Sequence, residues 1–157
     1  MDEKQVWRHT LATIAYRASK AMRGAPAGFE NFNAGPGSRS AGQILAHLGD
    51  LFEWSTRMAN GDRSFHASKP LEWEAGVARF FAALEAFDQR VAADQPIAMP
   101  MQLLFQGPIA DALTHVGQIS LLRRLAGSPV RGEVYPLARI EIGRVGIAQA
   151  APVQEFD

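Results

Sequence analysis

The chain has 157 residues, 47% of them apolar, which suits one domain with a continuous buried core. Its 16 Lys and Arg balance 16 Asp and Glu, so the excess positive charge that draws proteins to phosphate backbones or anionic lipid is missing, and neither nucleic acid nor membrane is an expected partner. No cysteine is present, which removes disulfides, thiolate nucleophiles and Cys-rich zinc sites and leaves His and carboxylates to hold any metal.

The opening residues MDEKQVWRHTLATIAYRASK lack the uninterrupted apolar core of a signal peptide, and no apolar run is long enough for a bilayer, so a cytoplasmic protein is expected. Within them Trp7, Leu11, Ile14, Ala18 and Met22 recur at spacings of three and four, which predicts a first helix over 3–22. Four glycines and two prolines then fall within 24–37, which denies both helix and strand and predicts a long loop of the kind that roofs sites. Ser40 and Gln43 fit a capping box that starts a second helix. Its stripe is Ile44, Leu48, Leu51, Phe52, Ser55 and Met58, ending at Asn60-Gly61.

A polar stretch over 62–69 leads to Pro70, placed for the first turn of a third helix that carries Val77, Phe80, Phe81, Leu84, Phe87 and Val91 inward and ends near Asp94. The fourth helix is expected over 104–126 with Gly127 as its stop, its regular part starting at Pro108 because proline is tolerated only in a first turn. Beyond Val130 the apolar residues Ile140, Ile142, Val145 and Ile147 lie too close for a helix face and are broken by Gly143 and Gly146. An extended tail with at most a short hairpin is expected there. Four amphipathic helices, each needing the others to leave water, predict an all-α bundle.

Three polar residues stand where apolar ones belong. His47 lies on the inward stripe between Ile44 and Leu51, and His115 lies on the stripe Ala112, Ile119, Leu122 with Asp111 one turn before it. An inward carboxylate costs several kcal/mol unless it is paired or ligates a cation. Asp111 and His115 at i and i+4 can converge on one divalent ion, and His47 can complete a three-ligand arrangement from a facing helix. The alternative is structural: core histidines hydrogen-bonded to carbonyls or hydroxyls, and an Asp111 favoured by the dipole at a helix start.

Other candidates are weaker. Asp50 is an alternative ligand or an acceptor from a ligand His, though a solvated flank for Asp50 and Glu53 fits better; Gln118 reads as an interhelical amide or a hydrogen-bonding group near the site. Arg123 and Arg124 suit the negative end of the last helix. His9 and His66 lack partners at ligand spacing, and Trp54 and Trp73 read as core or interface.

The segments SAGQILAHLGDLFEW and DALTHVGQISLLRRLAGSPV resemble the second and fourth helices of the DinB/YfiT-like superfamily, over most of 40–130. The resemblance implies a four-helix bundle over 1–130, with 131–157 a tail packed on it or on a partner subunit. It also implies a metal site at His47 and His115, with Asp111 where the family typically carries the first of two His. A two-His, one-carboxylate set leaves zinc, nickel, manganese and iron open, the oxygen favouring the harder ions. From the family follow a metal-dependent hydrolase or thiol-dependent transferase of unknown substrate, related members including a maleylpyruvate isomerase, and a homodimer. The competing reading is a non-catalytic or stress-related bundle that binds a small molecule and keeps a structural or vestigial metal site.

Overall fold

The computed structural model describes residues 1–157. Its long helices are α1 (Glu3–Met22), α2 (Ala41–Ala59) and α3 (Trp73–Ala92); a single turn α4 (Met101–Leu104) then leads through a π-helical turn, Phe105–Ile109, into α5 (Ala110–Leu125). α1 packs on α3 and α5, and α2 packs on the same two, so the four long helices close a ring around one core. At its centre Phe52 meets Phe80 and Phe87 with ring centroids 5.8 and 6.3 Å apart, all three fully buried. No helix is long and apolar enough to cross a membrane.

The start signals act as local chemistry dictates. Ser40 accepts from the Gln43 amide and the Gln43 side chain accepts from the Ser40 amide, the predicted capping box. Asp2 and Gln5 build the same box at α1, a signal the sequence reading passed over. Gly127 ends α5 with φ +75°, the left-handed conformation that glycine adopts without a Cβ penalty.

Two expected boundaries differ. α3 begins at Trp73 and not at Pro70, because the Trp73 indole N–H donates to the Met22 carbonyl at 3.1 Å and its ring packs edge-to-face with Phe29, centroids 4.8 Å apart, pinning the helix start to the end of α1. The fourth helix becomes regular at Ala110 and not at Pro108. Pro108 cannot donate and crowds the carbonyl four residues back, and Gly107 (φ −92°, ψ −106°) takes up the distortion within the π turn. That turn also explains the stripe: Leu104 and Ile109, five apart, are both 0% exposed, a spacing a regular α-helix would send to different faces.

Past α5 the chain crosses α1. A two-strand ribbon pairs Gly132 with Phe156 and Glu133 with Glu155, antiparallel, so the strands join distant parts of the tail and not neighbouring residues of a tight hairpin. Ser19 donates to the Ile147 carbonyl at 2.7 Å, Val145 is buried, and Glu133 is taken by Tyr16 (2.7 Å) and Lys20 (2.9 Å).

Candidate metal centre

His47 sits in the middle of α2, Asp111 in the first turn of α5 and His115 one turn further, so the contact of α2 with α5 brings the three together. His47 Nε2 is 3.0 Å from Asp111 Oδ2. His115 Nδ1 is 2.9 Å from the Asp111 carbonyl oxygen and 3.2 Å from Asp111 Oδ1. The two imidazole centroids are 4.8 Å apart. Side-chain exposures of 23% for His47, 42% for Asp111 and 12% for His115 describe a group with one open side.

A carbonyl oxygen only accepts, so the bond to the Asp111 backbone puts a proton on His115 Nδ1 and leaves the Nε2 lone pair of the neutral ring without a partner in the chain. Thr114 donates to the same carbonyl at 2.8 Å and steadies it. A ligand histidine is oriented in this way, its second nitrogen donating to a fixed acceptor. One ligand atom from each residue lies within 4.8 Å of the others, so the group could hold a metal ion. Ligands on a zinc-sized ion at about 2.0–2.1 Å are separated by at most about 4 Å. The His47–Asp111 contact is a hydrogen bond in which the carboxylate accepts, so an ion bound there would displace the proton on His47 Nε2.

The group opens into a cleft of about 550 Å³. The 24–40 loop supplies one wall through Ala34, Ser38 and Arg39, and Ile44, Leu121 and Leu122 supply apolar surface. Phe65, with its ring centroid 6.2 Å from that of His47 and 5.4 Å from that of Trp54, stands beside the group. Comparison with protein families, with curated proteins and with solved structures gives no match for this chain. The site therefore stands on its own geometry.

The remaining candidates fall elsewhere. Asp50 is 2% exposed, neither ligand nor solvated: it accepts from Arg79 Nη2 at 2.6 Å and from the Ser68 amide at 2.9 Å, and Arg79 also takes Glu53 at 3.0 Å. Gly49 makes room for this, since a Cβ there would lie 2.8 Å from Arg79 Nη1. Burial pushes the Arg79 pKa down, but its hydrogen bonds to Glu53 and Asp50 and their negative charges outweigh it and the guanidinium is held above its usual value. Gln118 lines the cleft and its side chain forms no hydrogen bond within the chain, so it is not an interhelical amide. His66 is exposed and meets only Ser64. Arg123 is buried and ties the end of α1 to the end of α5, donating to the carbonyls of Ala21, Arg23 and Gly24 and to Ser128; desolvation lowers its pKa. Trp73 is core and Trp54 is half-buried. Arg39 and Phe65, in the loops on either side of α2, carry no periodic signal that would have nominated them.

Proposed function

We propose that the chain is a cytoplasmic four-helix bundle of the DinB/YfiT type in which His47, Asp111 and His115 hold one divalent ion for hydrolysis or for thiol transfer to an electrophile. The observation that carries the reading is the unpartnered His115 Nε2, in a ring fixed through Nδ1, beside the His47–Asp111 contact at the edge of a cleft sized for a small molecule. A divalent ion there, with three protein ligands and open positions, would lower the pKa of bound water or thiol and polarise a substrate carbonyl.

The chain's own residues have distinct roles in this reading. Asp111 supplies both a bond and the negative charge that compensates a divalent ion, and its backbone carbonyl fixes the tautomer of His115. Ile44, Leu121 and Leu122 hold the apolar part of a substrate, and Phe65 shields the His47 side. Asp111 is the one carboxylate lining the cleft, so no general base stands free of the ligand set.

The test is an assay of untagged, chelated and reloaded protein against a panel of activated esters and of thiols with electrophiles. Turnover is expected only in the reloaded protein and is expected to vanish in Asp111→Ala. Equal turnover after chelation would remove the metal from the mechanism, and stoichiometric metal without any turnover would favour the binding-protein reading. The resemblance also carries a homodimer, which a monomer mass from light scattering at micromolar concentration would reject.

A further inference from the structure

The cleft carries one fixed positive charge of its own. Arg39 lines it from the loop side, directly before the Ser40 cap of α2, while His47, Asp111 and His115 line it from the helices. Arg8, Arg79 and Arg144 are paired, with Asp88 at 2.8 Å, Asp50 at 2.6 Å and Glu141 at 2.8 Å, whereas Arg39 shares with Arg23, Arg63, Arg124 and Arg139 a side chain free of ion pairs, and of these it alone lines this cleft. Arg39 forms no ion pair and no hydrogen bond within the chain, although it borders an apolar cleft. A guanidinium in that position presents a planar fork of donors to whatever enters, and that fork matches a carboxylate.

The balance of charge points the same way. Asp111 is the one acid lining the cleft, and in the metal-centre reading its charge is more than offset by a divalent ion. With Arg39 added, the cleft is net positive, and its low-dielectric walls of Ile44, Leu121 and Leu122 concentrate that field on a bound molecule. Ser40 and His47 are seven positions apart on one helix, about 10 Å along the axis. A ligand touching both ends therefore has a short apolar body between them.

We propose that the cleft selects a small carboxylic acid, with its carboxylate paired to Arg39, its aliphatic body on Ile44, Leu121 and Leu122, and its far end facing His47, Asp111 and His115. Arg39 is thus a specificity-determining residue and not a ligand. Gln118, on the same cleft and without a partner in the chain, is a second hydrogen-bond donor for the acid or for a polar group on its body. The inference rests on the metal-centre reading for what the far end meets, whereas the pairing with Arg39 stands or falls separately.

Hexanoate and hexanol serve as probes, their binding measured calorimetrically on metal-loaded and on chelated protein. Wild type is expected to prefer hexanoate to hexanol, and Arg39→Ala to lose about three- to tenfold of hexanoate affinity with hexanol affinity and metal content unchanged. Arg39→Lys should recover part of the loss, as a point charge without the fork, and added salt should shrink the preference in wild type. Arg39 is exposed and unpaired, so an unchanged circular dichroism melt is expected in both variants. Hexanoate binding to Arg39→Ala at the wild-type affinity, or hexanol binding to wild type as tightly as hexanoate, would overturn the proposal. If elemental analysis finds no metal while the Arg39-dependent preference persists in chelated protein, the metal reading fails and this one holds.

Discussion

Two places in the molecule carry polar side chains inside apolar stripes, and they are finished differently. Where the tail crosses α1, the Glu133 side chain is fully enclosed and every partner is the protein's own: the Tyr16 hydroxyl at 2.7 Å and the Lys20 ammonium at 2.9 Å, which also takes Glu155 at 2.7 Å. Where α2 meets α5, the same kind of residue stays partly open, keeps an imidazole nitrogen without a partner and faces a cleft. A buried polar cluster that closes on itself holds the fold together, and one left incomplete beside a cavity is available to a ligand.

The largest effect should come from breaking the closed cluster. Glu133→Ala leaves the Tyr16 hydroxyl unsatisfied and Lys20 with one of two carboxylates, and should cost about 2–3 kcal/mol in denaturant unfolding while leaving metal content alone. A loss below about 0.5 kcal/mol would show that the tail contributes little. The same cluster sets an acid limit. Burial pushes the Glu133 pKa up, but hydrogen bonds from Tyr16 and Lys20 and the Lys20 charge outweigh it, so the folded value lies below the ordinary 4.5. Its contribution is therefore complete above pH 4.5 and drains away as the pH falls through the lower folded value. Glu133→Gln should lose this part of the acid dependence in a pH-stability series, and an unchanged profile would assign it elsewhere.

The open cluster should respond in the opposite manner. His47→Ala in metal-free protein removes a contact to a 42%-exposed Asp111 and should change stability by less than about 1 kcal/mol. Zinc at a hundred times its Kd should stabilise wild type by about 2.7 kcal/mol and His47→Ala by little. Equal stabilisation of both would remove His47 from the ligand set. Smallest in stability and sharpest in chemistry is Asp111→His, which restores the three-His pattern typical of the resembled family. It should keep the metal and shift competition toward zinc over manganese. An unchanged preference would leave Asp111 as a first-turn helix acid.

Much of the architecture was legible because it is written in local chemistry. Apolar spacing, the Ser40–Gln43 box and the Gly127 stop place the long helices to within a few residues. What escaped depends on contacts between distant residues. Trp73 moves the α3 start through the Met22 carbonyl, and the π turn reconciles Leu104 with Ile109 through a distortion that Gly107-Pro108 marks but does not specify. At the site, helical phase was enough to nominate His47, Asp111 and His115, because i and i+4 share a face. It could not separate Asp50, inward as well, from a ligand, since that depends on Arg79 arriving from α3. Arg39 and Phe65 lie in loops, where no periodicity reports which way the chain turns.

The central claim is that the α2–α5 cluster is a metal site and not a closed hydrogen-bonded core. Its most direct test is elemental analysis of untagged protein, chelated and then dialysed against zinc, beside His47→Ala and His66→Ala treated identically. The account predicts about one equivalent in wild type and His66→Ala and well under half an equivalent in His47→Ala. Wild type below about half an equivalent, or His47→Ala loaded as fully as wild type, would contradict it.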